Sequence, residues 1–450
     1  MIELIAGSIV TLAVGRAIFK GYSPTSVLLV GGLLLLVLAA ALGHPVLPPK
    51  VASTGSVLTD IPEFVKYLLS NRAADLGMMI MALVGFAAYM TRIGANDMVV
   101  KLAARPLGAI RSPYLLMLAA YIVACIMSLA VSSATGLGVL LMATLFPLMV
   151  NMGISRGAAA AICASPAAVI LSPTSGDVVL AAEASGVPLV DFAFKTTLPI
   201  SIAAIAAMGL THVFWQRYLD RKARHEASPL ETATIETRAP VLYVLLPFLP
   251  IAGVLVFDGK LAPQLSIVTV LVICLMVAAA LELVRTRDVR EVFAGLDGAY
   301  KAMGECFTSV VMLLVGAGVF AQGLSCVGFI GALIGLAQSA HAGAFVLMLV
   351  LVGITTLAAL TTGSGNAPFY AFVELIPKLA AHSGIHPAFL AIPMLQASNL
   401  GRTVSPVAGV VVACAGMADL SPFEIVKRTS LPIAVGLVVV IAGTAVLVPA

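Results

Sequence analysis

Long apolar runs separated by short polar stretches organise this chain. They fall near residues 2–19, 25–43, 75–91, 113–131, 139–150, 157–185 and 195–216. After a polar connector from Arg217 to Arg238 a second set follows, near 241–257, 264–284, 303–324, 343–361, 367–381, 387–416 and 425–448. About 20 apolar residues in a helix cross a hydrocarbon core roughly 30 Å thick. Runs such as Ser26 to Gly43 and Ile425 to Pro449 therefore predict transmembrane helices. A β-barrel would alternate apolar and polar positions instead. Met1 to Phe19 has neither a basic leader nor a small-residue cleavage site, so it is expected to be the first span and not a signal peptide.

The two sets of runs are related by an internal repeat. Leu-Val-Gly ending at Gly85 recurs at Gly316, a separation of 231, and Ser172-Pro173 recurs as Ser405-Pro406, a separation of 233. Lys195-Thr-Thr-Leu-Pro-Ile200 returns as Arg428-Thr-Ser-Leu-Pro-Ile433, again 233 apart, and Ser132-Ser-Ala-Thr-Gly136 aligns with Thr361-Thr-Gly-Ser-Gly365. Near-constant offsets across separate landmarks mark a duplicated unit.

Composition confirms the class: of 450 residues 61% are hydrophobic and only 10% charged, too little charge to cover a soluble protein of this length. The net charge of +4 then bears on topology, because cytoplasmic loops are rich in Lys and Arg, and it does not point to a nucleic-acid partner. Loops around 16–20, 92–111, 151–156, 217–238, 285–301 and 427–428 hold 18 of the 25 basic residues; six lie on the other side and Arg402 is left within the membrane. The N-terminus is thereby expected outside. The distribution closes if 113–151 is a re-entrant helical hairpin with its tip at Ser132 to Gly138, and 343–381 a second one with its tip at Thr361 to Asn366. Each half then has five full crossings, and the fold expected is an all-α polytopic membrane protein with two inverted repeats.

Polar residues inside the apolar runs carry the candidate chemistry. Besides the two tips, breaks are expected at Ser172 to Asp177 and at Ser398 to Pro406, with Ser172 and Ser405 as N-caps and Pro173 and Pro406 at the first helical position. Irregular backbone at bilayer depth persists where it lines a cavity, so the breaks are expected to converge. Arg402 at that depth costs roughly 3 kcal/mol on insertion scales, which favours a cavity-facing anion site; snorkelling to the interface is the alternative. Half-helix N-termini, with about half a positive charge each, also attract an anion. The candidate substrate ligands are Ser132, Ser133, Thr135 and Gly136 at the first tip, Thr362, Ser364, Gly365 and Asn366 at the second, and Ser398, Asn399, Arg402 and Thr403 in the later break. A guanidinium fork suits a carboxylate, and two such ends suit a dicarboxylate. Thr174, Ser175 and Asp177 are candidates for coupling or gating, with an Asp177–Arg402 ion pair as the alternative role of the acid.

Other motifs add little. The six cysteines lie scattered in apolar runs without a C-x-x-C pair, as small core residues do. His382 and His386 have i,i+4 spacing but no acidic companion, so no metal site is expected. Gly363-Ser-Gly365 lacks the strand and the Gly-Lys-Ser/Thr of a phosphate loop. No nucleophile–base or paired-carboxylate constellation points to an enzyme.

Several longer stretches resemble the DcuC family of anaerobic four-carbon dicarboxylate transporters of bacterial inner membranes. They are Asp75-Leu-Gly-Met-Met-Ile-Met, Ile93-Gly-Ala-Asn-Asp-Met-Val-Val-Lys-Leu-Ala, Ser132-Ser-Ala-Thr-Gly-Leu-Gly, Ser172-Pro-Thr-Ser-Gly-Asp, Thr361-Thr-Gly-Ser-Gly-Asn-Ala-Pro-Phe-Tyr and Gln396-Ala-Ser-Asn-Leu-Gly-Arg-Thr. The resemblance implies succinate efflux and fumarate/succinate exchange, with malate a related substrate; no cofactor is expected, and Asp177 offers a place for coupling to protons or sodium. It also implies a homodimer of the ion-transporter superfamily working as an elevator. Carried over, residues 1–111 and 225–341 form scaffold, and 112–224 and 342–450 the transport domain. Related carriers often place Ser-Asn-Thr at hairpin tips, where this chain has Ser132-Ser-Ala-Thr and Ser364-Gly-Asn. The competing function is a proton or sodium antiporter with Asp177 as the ion-carrying residue.

Overall fold

A computed structural model describes residues 2–20, 22–48, 51–131, 133–223, 237, 239–257, 262–329 and 343–449. They form helices and turns, with no strand among the described residues. The first half contains α1 (Ile2–Phe19), α2 (Pro24–Ala41), α3 (Val57–Arg72), α4 (Met78–Arg92), α5 (Ala95–Ala104), α6 (Pro113–Met127), α7 (Ala134–Asn151), α8 (Arg156–Ala164), α9 (Gly176–Ser185) and α10 (Leu198–Ala223). The second contains α11 (Leu249–Val256), α12 (Ile267–Thr286), α13 (Val289–Cys306), α14 (Met312–Cys326), α15 (Ala344–Thr362), α16 (Asn366–Val373), α17 (Ile376–Ser383), α18 (Pro387–Thr403), α19 (Gly409–Ala418) and α20 (Pro422–Leu447). Among the described residues seven helical stretches are long and apolar enough to cross a membrane, and α4 with α5 and the turn after it, bent by 67°, make an eighth if counted as one span. The chain is thus a multi-pass membrane protein.

The apolar runs near 75–91 and 303–324 are only the second halves of longer rods. A π-helical turn at Ala73–Gly77 joins α3 to α4, and another at Phe307–Val311 joins α13 to α14. The loop expected over 285–301 is therefore largely helix. Charged positions along α3 and α13 hide them from a search for apolar runs; each buries only one stripe, Ile61 and Phe64 in the first and Val292 and Ala299 in the second. The same order of a helical hairpin, an interrupted helix and a long helix occurs twice, as α6–α7, α8/α9 and α10, then as α15–α16, α18/α19 and α20. The long helices α10 and α20 pack along one another, α2 packs on α14, and α15 lies along α18.

Both interruptions differ from the expected ones. The first opens earlier, at Ser165, because Pro166 has no N–H to continue the helical hydrogen-bond ladder. Helix α9 starts at Gly176 with Ser175 as its N-cap, and α19 starts at Gly409 with Ala408 as its N-cap, so Ser172 and Ser405 cap neither. Each Ser-Pro pair instead opens a turn with proline at its second position. The Ser172 carbonyl accepts from Ser175 N–H at 3.1 Å, and the Ser405 carbonyl from Ala408 N–H at 3.2 Å. The later break is also shorter than expected, since Ser398 to Thr403 form the last turns of α18. Asn399 Nδ2 donates to the Leu395 carbonyl and Thr403 Oγ1 to the Asn399 carbonyl, so these polar side chains are accommodated without opening the helix.

Candidate substrate site

Helix α18 presents Gln396, Asn399 and Arg402 at i, i+3 and i+6, one polar stripe on an otherwise apolar helix, and all three bond to the first interrupted helix. Gln396 pairs with the main chain of Ile170: its Oε1 accepts the N–H at 2.9 Å and its Nε2 donates to the carbonyl at 3.1 Å and to Ser201 Oγ at 3.2 Å. A backbone unit without a helical partner is thereby satisfied at a depth where water is scarce. One turn on, Asn399 Nδ2 donates to Asp177 Oδ2 at 3.2 Å. Another turn on, Arg402 Nη2 donates to the Ala167 carbonyl at 2.9 Å. Arg402 lies in the last turn of α18, where the negative end of the helix dipole favours a cation.

Asp177 is 3% exposed in the first turn of α9, and its second oxygen accepts from Tyr370 Oη at 2.6 Å. Tyr370 belongs to α16 behind the second tip, and Asn366 Nδ2 reaches its hydroxyl at 3.5 Å. The carboxylate therefore rests on neutral donors, and the alternative of a direct Asp177–Arg402 ion pair is not realised in this arrangement. Two polar atoms are left over: Asn399 Oδ1 and Arg402 Nε are buried without a hydrogen-bond partner. Both residues face Gly365, where a Cβ would overlap Asn399 Oδ1 and stand 3.0 Å from Arg402 Nη1. The unused cationic donor of Arg402, beside the glycine of the second tip, can receive an anionic oxygen.

The tips meet at the later break. Gly363, at φ +69°, packs with its Cα face on the Ala408 backbone, 2.9 Å from where a Cβ would stand, so both conformation and space require glycine there. Thr135 Oγ1 from the first tip lies 3.0 Å from the Cβ position of Gly409. The two tips and both interruptions thus converge around Gly365, Asn399, Arg402 and Ala408. Ser133 and Ser364 accept N–H bonds from Gly136 and Ala367, which leaves their hydroxyl protons free for an anion. Thr362 and Thr403 donate to main-chain carbonyls, and so does Ser398, to that of Gly365. Thr174 shares a hydrogen bond with Ser172, and Ser175 caps α9 through its position alone. Ser132 lies outside the described residues, as does the His382 side chain; no metal-ligating cluster occurs among the described residues.

Sequence reasoning missed Tyr370 and Gln396. A tyrosine in an apolar run looks like core, whereas the three-residue spacing of Gln396, Asn399 and Arg402 was a usable signal.

The chain matches the model of the DcuC family, described as a C4-dicarboxylate anaerobic carrier, over residues 2–449. It is 67% identical over 448 residues to the anaerobic C4-dicarboxylate transporter DcuC of Escherichia coli strain K12, covering 100% of this chain and 97% of that protein. To the probable anaerobic C4-dicarboxylate transporter DcuC of Vibrio cholerae it is 58% identical over 452 residues, covering 100% and 98%. Among solved structures, the YdaH transporter of Alcanivorax borkumensis superposes with a TM-score of 0.65 at 18% identity, over 94% of this chain and 98% of that one. MtrF of Neisseria gonorrhoeae, described with a class of antimetabolite efflux pumps, gives 0.64 at 15%, over 94% of each. At those identities the likeness is one of fold.

Proposed function

Because the chain belongs to the DcuC family of C4-dicarboxylate anaerobic carriers, we propose that it exports succinate and exchanges fumarate for succinate by alternating access. Family membership makes it a transporter and not an enzyme. The observation that carries the choice of cargo is Arg402, a guanidinium with a buried Nε left unpartnered at the meeting of two tips and two interruptions. One substrate carboxylate rests on that fork, and the other is received by the hydroxyls of Ser133 and Ser364 and the N-termini of α7 and α16. Asn366, Asn399 and Gly365 shape the space between. Asp177, with Thr174 and Ser175 beside it, serves coupling: a dianion next to a carboxylate needs compensating positive charge beyond Arg402, which protons or sodium ions supply.

The repeated element order supports two inverted repeats. In this reading residues 1–111 and 225–341 form the scaffold, and 112–224 with 342–450 form a transport domain that shifts as an elevator; the boundaries after 224 and 341 fall outside the described residues. The protein acts as a homodimer in the bacterial inner membrane with its N-terminus outside. The test is uptake of labelled succinate into proteoliposomes preloaded with fumarate, with and without a proton or sodium gradient. Arg402→Ala loses roughly 3 kcal/mol of substrate interaction, a drop of roughly a hundredfold in exchange. Asp177→Asn retains exchange but loses its response to the gradient. Wild-type succinate flux in the Arg402 variant would sink the reading.

A further inference from the structure

Arg72, the last residue of α3, holds two carboxylates from elsewhere in the chain: Nη1 lies 3.0 Å from Glu183 Oε1 at the end of α9, and Nη2 lies 2.5 Å from Glu374 Oε1 just beyond α16. The Arg72 and Glu374 side chains are only 19% and 15% exposed, so the pair is substantially shielded from solvent. Arg72 immediately precedes the π-helical turn between α3 and α4, and a second polar link runs from Lys378 Nζ to Gln322 Oε1 at 3.2 Å. In both links one partner stands on the proposed scaffold segments and the other on the proposed transport domain.

The repeat makes the contact one-sided. Offsets of 231, 233 and 229 relate Arg72 to Met303, Glu183 to Gly416 and Glu374 to Leu145, none of which carries charge. If inverted repeats exchange roles when the carrier turns from one side to the other, the arrangement seen here has an ion-paired clamp and its opposite has none. Resting on that two-body division, we propose that Arg72, Glu183 and Glu374 form a latch between scaffold and transport domain that biases the carrier toward the present arrangement. The three groups need a rigid shift of one body only to separate. They belong neither to the tips nor to the interruptions, so the latch sets populations without touching cargo.

The test measures the distance between spin labels attached through p-acetylphenylalanine at Leu58 of α3 and Val446 of α20, both highly exposed, in protein reconstituted in nanodiscs with and without succinate. The native cysteines stay untouched. The wild type is expected to show two distances, and Arg72→Ala to move their ratio toward the second by roughly fivefold. Glu374→Gln, which keeps shape and leaves Arg72 in place, is expected to shift the ratio the same way, and Arg72→Lys less. If the wild type shows two distances and neither Arg72→Ala nor Glu374→Gln alters their ratio, the latch is wrong while the two-body division stands. A single distance under every condition overturns both.

Discussion

Replacing Gly365 by alanine asks whether the tip of the second hairpin lies against the polar stripe of α18. The backbone at Gly365, φ −79° and ψ −36°, is ordinary for alanine, and the exchange alone would stabilise by about 0.4–1 kcal/mol through the unfolded chain. Space decides otherwise. The new methyl would overlap Asn399 Oδ1 and stand 3.1 Å from Asn399 Cγ and 3.0 Å from Arg402 Nη1. The Asn399 amide must retreat by about 1 Å, which breaks its 3.2 Å bond to Asp177. Overpacking costs about 1–3 kcal/mol and the lost bond to a carboxylate about 1.5–3, so the net destabilisation is roughly 2–5 kcal/mol. Exchange is expected to fall further than stability, because the methyl occupies the space between the two unpartnered groups. The measurements are fumarate/succinate exchange in proteoliposomes and thermal unfolding in detergent, with Gly353→Ala as the control; a Cβ there meets nothing within 4 Å, and melting should rise slightly. Wild-type exchange and melting in Gly365→Ala would refute the packing of tip on stripe.

Two other sites test the framework around the cargo. Gln396→Leu strips the Ile170 N–H of its partner in a fully buried position and leaves the Ile170 carbonyl only the Ser201 hydroxyl, at 3.3 Å; at about 1–3 kcal/mol for the orphaned N–H and about 0.5–1.5 for the lost bond to the carbonyl the loss is roughly 2–4 kcal/mol, read by thermal unfolding, and Gln396→Glu should recover only the N–H bond. Arg428, 1% exposed, binds Asp220 at 2.7 Å, Glu424 at 2.8 Å and Gln216 Oε1 at 3.1 Å. Arg428→Met is expected to cost roughly 2–4 kcal/mol, less than a fully buried pair because both acids keep some exposure, with transport reduced only as far as stability is.

The positions of the apolar helices were legible because burial in lipid leaves a simple record, a run without charge. What escaped has specific causes. Helices α3 and α13 carry charges on one side, so their apolar stripes are thinner than a run. The π-helical turns leave no compositional mark. The Ser-Pro pairs were read as helix starts, yet proline at the second position of a turn satisfies the same local preferences, and only the observed bond from the fourth residue back to the first distinguishes the two. Arg428 was counted with the cytoplasmic loops, and its near-complete burial depends on Asp220 and Gln216, 208 and 212 residues away. Of the site, Asp177, Asn366, Asn399 and Arg402 were legible as polar residues in apolar surroundings. Tyr370 was not, since its 2.6 Å bond goes to Asp177, on the other half of the chain.

That dependence of one half on the other explains why the site can exist at bilayer depth. Helix α18 alone would expose Gln396, Asn399 and Arg402 to hydrocarbon, and the first interruption alone would expose the N–H and carbonyl of Ile170, the carbonyl of Ala167 and the carboxylate of Asp177. Each unsatisfied polar group in lipid costs several kcal/mol. Brought together, the two sets cancel nearly one for one, along three successive turns of a single helix. The remainder is small and local: Asn399 Oδ1 and Arg402 Nε, beside a tip where glycine leaves room. A helix able to satisfy all of its own groups would have nothing left to offer an anion. A pair of elements that satisfies nearly all of them, and leaves its charge-bearing remainder beside the two tips, is stable enough to insert and keeps a cationic donor to offer an anion.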